Sequence, residues 1–310
     1  MPEAEPQASL CRPLAGITFE VRCASHRLWP VDLPGYRAFS ATTPTLRPVF
    51  PPVEVACRVA SAADCPAQLP ERFLDGGAWG YYAGADEAVF FAPLPQSGLA
   101  ARWCARVPRG GARRIDVACS NALLTSGEGE PFLADPFRYP LDQIVLGRAL
   151  GSSGLLLHAA GACRQGRALV FPGVSGAGKT TLSRLLHRDG FTLLSDDRVV
   201  VRCDAGAFSA WGTPWPGEGG FARNEAAPLA GLCFLRKGAA FSLRQLSPRE
   251  AYPLMLKVAS VPWYDPDAVA GPLESVAALL RGVPVYELTF RPEEETRRRF
   301  AQLIDGDGFD

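Results

Sequence analysis

The chain has 310 residues, enough for one large domain or two ordinary ones, and with 47% apolar and 21% charged residues it can build packed cores throughout. Lys plus Arg and Asp plus Glu number 32 each, so a strongly basic face for nucleic acid or an anionic membrane is not indicated, local patches aside. No run approaches the roughly 20 apolar residues that cross a bilayer, so neither nucleic acid nor membrane is an expected partner. Nine cysteines are scattered singly, with no C-x-x-C pair and no zinc spacing. The opening Met1-Pro-Glu-Ala-Glu-Pro-Gln lacks the pattern of a secretion signal. Free thiols in a reducing cytoplasm are therefore expected.

In chain order, residues 1–13 read as a flexible N-terminus. Residues 14–123 read as a β-rich domain, an antiparallel sheet arranged as a sandwich or open barrel. Ile17, Phe19, Val21 and Cys23 alternate with polar residues, as do Val53, Val55, Cys57 and Val59, and Leu99 to Val107 repeats the pattern. Trp79–Tyr82 and Ala88–Phe91 flank Ala83-Gly-Ala-Asp-Glu, which suggests a hairpin. Residues 124–136 are turn-rich and read as a connector.

From residue 137 to 310 the pattern changes. A helix with Pro140 near its first turn presents Leu141, Ile144, Val145 and Ala149 on one face. Leu155–Leu157 is a short apolar strand ending at His158, and Ala168–Phe171 is a strand entering a glycine loop. Thr180 to Arg188 reads as a helix stopped by Gly190. Phe191–Leu194 and Val199–Val201 are further strands. Strand, loop, helix and strand in so few residues predict a βαβ unit with buried parallel strands whose ends lie side by side. Later come a strand at Leu232–Leu235, a helix start at Ser247-Pro-Arg-Glu250, a strand at Pro284–Phe290 and a last helix from Glu295 to Ile304.

Gly173-Val-Ser-Gly-Ala-Gly178-Lys179-Thr180 fits the phosphate-loop pattern G-x-x-x-x-G-K-[ST] in full. A polyphosphate concentrates charge, and successive backbone N–H groups can face it only where the chain wraps tightly, as Gly173, Gly176 and Gly178 permit. The following helix adds its positive end. Lys179 can reach β- and γ-phosphates, and the Thr180 hydroxyl can ligate Mg2+. Only three of the basic residues are lysines, Lys179, Lys237 and Lys257, which makes a lysine in this loop harder to ascribe to chance. The motif points to a Mg-nucleotide-binding phosphotransferase.

Asp196 and Asp197 follow the next strand, at the sheet edge where ligands collect. One carboxylate can hold Mg2+ and the other can accept a proton from an attacking hydroxyl. Ser-Asp-Asp-Arg is also turn-like by composition. A lone histidine is more often structural than functional, but His158 can reach the same edge and orient an aspartate. In Trp211 to Glu225, glycines and prolines hold polar groups on a loop. There Glu218 can complete a metal shell and Arg223 can neutralise phosphoryl charge, or the segment is a rigid connector.

Leu157-His158-Ala-Ala-Gly161, Gly173 to Thr180 and Leu194-Ser-Asp196-Asp197-Arg-Val199 together resemble the HPr serine kinase/phosphorylase family, which shares the phosphoenolpyruvate carboxykinase core. The resemblance spans roughly residues 136–304 and is to a divergent member, similar to peptide-modifying kinases. It implies an α/β P-loop core of the HPr kinase/carboxykinase type, here following the N-terminal antiparallel β-rich domain read from the alternation above. It implies ATP and Mg2+ as cofactors, with the nucleotide phosphates on Lys179 and the loop from Gly173 through Ser175, Gly176, Ala177 and Gly178 to Thr180 and Thr181, and with Arg223 nearby. It implies that Asp196 accepts the proton assisted by His158, that Thr180 and Asp197 hold Mg2+, and that Glu218 is a further ligand. The implied reaction is phosphorylation of a Ser/Thr hydroxyl on a peptide or protein; the domain layout alone suggests that the β-rich domain helps hold the acceptor. A small-molecule hydroxyl kinase and a non-catalytic nucleotide sensor are the competing readings, and a homo-oligomer is compatible with the sequence.

Overall fold

The computed structural model describes residues 7–39, 51–60, 74–75, 79–93, 101–109, 111, 113–125, 129–238 and 240–291. It is mixed α/β with several sheets. The chain divides into two units, one of Met1–Ala149 with Tyr264–Asp267 and one of Leu150–Trp263 with Ala268–Asp310. The division thus falls after Ala149 and not near residue 136, and it returns a four-residue piece of the later chain to the β-rich unit.

The first unit contains β1 (Ser9–Leu14), β2 (Ile17–Cys23), β3 (Leu28–Trp29), α1 (Pro34–Arg37), β4 (Val53–Ala60), β5 (Leu74–Asp75), β6 (Gly80–Ala83), β7 (Glu87–Pro93), β8 (Ala101–Pro108), β9 (Arg114–Ser120), β10 (Leu124–Thr125), β11 (Phe132–Ala134) and the helix α2 (Leu141–Leu150). Its main sheet runs β1-β2-β4-β9-β8-β7-β6-β5. The alternation of Ile17, Phe19 and Val21 and of Val53, Val55 and Cys57 becomes one buried face. The expected antiparallel sheet is corrected in its centre, where β2–β4 and β4–β9 are parallel. A parallel neighbour needs a long crossover, and the segments after Cys23 and after Ala60 provide one. The 80–93 hairpin forms as expected. Within the expected flexible N-terminus, residues 9–13 are instead part of β1, held in register with Arg22 to Thr18. The expected connector contributes β10 and β11, which join β3 in a small sheet.

A polar cluster fixes α1 and α2 in this unit. Arg12 and Asp135 form a buried ion pair, and the other Asp135 oxygen accepts the Phe137 amide at 2.8 Å. Burial pushes the Asp135 carboxyl up from its ordinary range, and Arg12 and that amide oppose the shift. The guanidinium lies 4.9 Å over the Tyr36 ring, and the Tyr36 hydroxyl donates to Asp142 at 2.7 Å.

The second unit contains β12 (Gly154–Arg164), β13 (Arg167–Pro172), α3 (Lys179–Arg188), β14 (Thr192–Ser195), β15 (Arg198–Asp204), β16 (Ala207–Trp211), β17 (Ala226–Lys237), β18 (Ser242–Gln245), α4 (Pro248–Leu256), α5 (Ala270–Gly282) and β19 (Val285–Phe290). The two long strands, β12 and β17, each serve two sheets. Their first halves pair with β15 and β16. Their second halves build a sheet in the order β14-β12-β13-β17-β19-β18. In that sheet Leu182, Leu185 and Leu186 of α3 pack on Ala160, Ala162, Leu169 and Phe171. On the opposite face Ala251 and Met255 of α4 and Val276 and Leu279 of α5 pack on Leu157, Ala159, Val170 and Leu194. Each such buried leucine contributes about 1.5–3 kcal/mol. The Ser247–Glu250 capping box opens α4 as read from sequence. The Glu295–Ile304 helix lies outside the described residues.

One topological expectation is corrected. β13 and β14 are parallel to each other but not neighbours, because β12 runs antiparallel between them. Both still end at the same edge of the sheet.

Removing one partner of a buried pair leaves an uncompensated charge, a loss of about 3–5 kcal/mol. Arg12→Met should cost that much in chemical denaturation, and the double variant Arg12→Met/Asp135→Asn should recover most of it.

Candidate functional site

β12 sets the geometry. Ala159 is in register with Pro172 at the end of β13, and Gly161 with Ser195 at the end of β14. The His158 carbonyl accepts the Gly173 amide at 3.1 Å, and the Ala159 amide donates to the Asp197 carbonyl at 3.0 Å. His158 therefore sits between the start of the glycine loop and the aspartate pair. A third segment joins from behind, where the His158 amide donates to Val258 at 2.8 Å.

The glycine loop has the backbone that the sequence demands. Gly176 and Gly178 take φ of 77° and 103°, a region costly for other residues. A Cβ on Gly173 would lie 2.9 Å from the Ala177 Cβ. Gly178 precedes the first turn of α3; no side chain caps that turn, and its N–H groups have no partner within the helix. Lys179 is buried, and its Nζ donates to the carbonyls of Gly173 at 2.7 Å and Val174 at 3.1 Å. Burial lowers the Lys179 pKa, Arg198 lowers it further, and Asp197 and then Asp196 oppose the shift. Both aspartates thus lie within electrostatic reach of the amine. Thr180 is half-buried and Thr181 exposed.

The two aspartates differ sharply. Asp196 is buried, and its carboxylate accepts three backbone amides, from Gly217 at 2.8 Å, Gly219 at 2.6 Å and Phe221 at 3.3 Å. These amides belong to the segment between Gly212 and Glu225, which runs as a strap against β14. Arg223 N donates to Leu194 O at 3.0 Å. Close approach explains the strap's glycines: a Cβ on Gly219 would lie 2.5 Å from Asp196 Oδ2, and one on Gly212 would lie 1.9 Å from the Arg223 carbonyl. Asp197 has a side chain 34% exposed. Its Oδ1 lies 3.1 Å from His158 Nε2, and its Oδ2 lies 3.7 Å from Arg198 Nε. The buried Ser195 hydroxyl accepts the amides of Asp197 and Arg198, forming the tight turn that separates the two carboxylates.

Desolvation lowers the His158 pKa, Lys179 and Arg198 lower it further, and Asp197 opposes them. The imidazole is accordingly neutral at neutral pH, with its Nε2–H assigned as donor to Asp197.

The structure brings together His158, Lys179, Asp196 and Asp197. Glu218 is exposed on the strap, between the two glycines whose amides bind Asp196; among the described residues no group of three or more His, Cys, Asp or Glu could hold a metal. Arg223 lies with its side chain half-exposed beside Glu225 at 3.3 Å. Sequence reasoning missed Arg198 as a site residue and missed the strap amides. The signal for the strap was the run Gly217-Glu-Gly219-Gly220, where side-chain absence at alternate positions marks close approach.

Thr180 is half-buried and the Asp197 side chain 34% exposed, and Mg2+ ordinarily takes one or two protein oxygens with phosphate and water.

A solved structure, the HPr(Ser) kinase/phosphatase from Coxiella burnetii, is similar over 48% of this chain and 93% of that one, at 14% identity and a TM-score of 0.29. A TM-score that low carries no weight for fold or function. No protein-family model and no curated protein matches the chain. Among the described residues no helix is long and apolar enough to cross a membrane.

The depressed His158 pKa has a signed consequence. Between the folded pKa and the unfolded value near 6.5 the unfolded chain binds more protons, so stability is lost as pH falls through that window. NMR titration should place His158 below about 6.5, and Arg198→Gln should move it upward by removing a facing cation.

Proposed function

We propose that the chain is a nucleotide-using phosphotransferase whose P-loop core is of the HPr kinase/carboxykinase type. The observation that supports it is the convergence at one sheet edge of the glycine loop, Lys179 and the His158–Asp197 pair. The nucleotide is ATP in this reading, bound through the amides from Gly173 to Thr181. Thr180 and Asp197 would hold Mg2+, which when bound screens the phosphates' charge.

The chain's own residues divide the remaining work. Lys179 and Arg198 offset negative charge where the phosphoryl group moves. Asp197 fixes the imidazole through Nε2, which leaves His158 Nδ1 to receive the proton of the attacking hydroxyl. Asp196 takes a different part from the one the family resemblance implies. Both its oxygens are engaged by the strap, so it organises the wall of the site instead of accepting the proton. The acceptor in this reading is a Ser/Thr hydroxyl of a peptide or protein, with the β-rich unit as its holder; a small-molecule hydroxyl is the alternative.

The test is transfer of labelled γ-phosphate by the purified chain. His158→Gln, which can still donate to Asp197, should lower kcat by about 10²–10⁴-fold with nucleotide affinity retained. Asp196→Asn should chiefly loosen the strap, seen as a lower Tm. Nucleotide binding without transfer to any hydroxyl would favour the sensor reading, and loss of transfer in Asp196→Asn at unchanged Tm would return the proton to Asp196.

A further inference from the structure

In the β-rich unit, cysteines distant in sequence meet on one sheet face. Cys23 ends β2 and is in register with Cys57 on β4. Cys57 lies beside Val117 of β9, and Cys119 follows two residues on, on the same face. Cys57 and Cys119 are buried, and each thiol donates to a carbonyl of its own strand, Val55 at 3.9 Å and Val117 at 4.0 Å. Cys23 is only half-buried. It lines a pocket of about 490 Å3 with Ser25, His26, Arg27, Glu130 and Phe132. Cys23 Sγ is 3.6 Å from Ser25 Oγ, which is 2.8 Å from His26 Nδ1.

We propose that Cys23 is a modification site for a zwitterionic small-molecule disulfide, and that Cys57 resolves the adduct into an internal Cys23–Cys57 bridge. The pocket supplies room and both signs of charge, from Arg27 and Glu130. The Ser25–His26 pair offers the departing thiol proton a hydrogen-bonded route. Register supplies the resolving partner: neighbouring strands lie about 4.7–4.9 Å apart, inside the Cα window of about 4.4–6.8 Å that a disulfide needs. Cys119 and burial push the Cys57 thiol up, and burial likewise pushes Cys233 up to about 12; what distinguishes Cys57 is a second thiol in register, which Cys233 lacks on β19.

The chemistry balances. The Cys23 thiolate attacks one sulfur of RSSR, a Cys23–SR bond forms and RS⁻ leaves, taking up the proton that moved to His26. Cys57 gives its proton to the second leaving thiolate as its sulfur attacks Cys23 Sγ and the Cys23–SR bond breaks. Two protein thiols are oxidised, and one RSSR is reduced to two RSH.

The experiment incubates the folded full-length chain with glutathione disulfide, alkylates remaining thiols and maps peptides without reduction by mass spectrometry. A Cys23–Cys57 cross-linked peptide is expected. Cys57→Ser should stop at one glutathione on Cys23, and Ser25→Ala should slow adduct formation several-fold. If Cys57→Ser fails to fold by circular dichroism, Cys57→Ala takes its place. A Cys57–Cys119 bridge, a persistent Cys23 adduct in the unsubstituted chain, first modification at another cysteine, or no modification would each overturn the proposal.

Discussion

The second unit depends on one strand being paired along both edges. The later half of β12 carries β13 on one side and β14 on the other, and both its faces are covered as well, by α3 and by α4 with α5. A strand enclosed on four sides has little room for side chains. The sequence Ala159-Ala-Gly-Ala162 meets that limit. At Gly161 a Cβ would already press on Val199 at 3.0 Å. Because β12 separates two mutually parallel strands, the loops that leave them open at one edge, and the residue of β12 at that edge is His158. The site follows from this pairing more than from any single contact within it.

Electrostatics then differentiates groups of like type. Two adjacent carboxylates diverge because the Ser195 turn sends one into a nest of amides and the other toward His158 and Arg198. Amides stabilise a buried carboxylate without bringing in a counter-cation. Lys179 and Arg198 are therefore left to act chiefly on Asp197 and less on Asp196's amide-held carboxylate. In the present state Lys179 is satisfied by the loop's own carbonyls. Under the proposed reading an incoming phosphate displaces those bonds, each worth about 1.5–3 kcal/mol to a charged donor, and must compensate for them.

What the sequence made legible was local. The glycine loop, its helix, the 80–93 hairpin and the α4 capping box depend on residues close together in the chain, and each was readable. Strand order was not, since apolar runs such as Leu155–Leu157 and Val199–Val201 do not encode which neighbour they choose. The strap escaped because it acts through backbone N–H groups, which every residue but proline carries. Arg198 was in view but read as punctuation after the aspartates. The grouping of Cys23, Cys57 and Cys119 needed register between strands far apart in sequence.

Tyr264–Asp267 interrupts the second unit in sequence while belonging to the first. Tyr264 packs against Trp79, Tyr81 and Phe90, Asp265 pairs with the Arg148 guanidinium, and Asp267 pairs with Arg109. A ribosome adding roughly 5–20 residues per second delivers this tetrapeptide seconds after Ala149 has emerged. Until then the nascent β-rich unit holds an open aromatic cluster and an unmatched guanidinium, a state suited to chaperone capture. Order of synthesis and order of completion are thus uncoupled: the part made first is sealed by a piece made late.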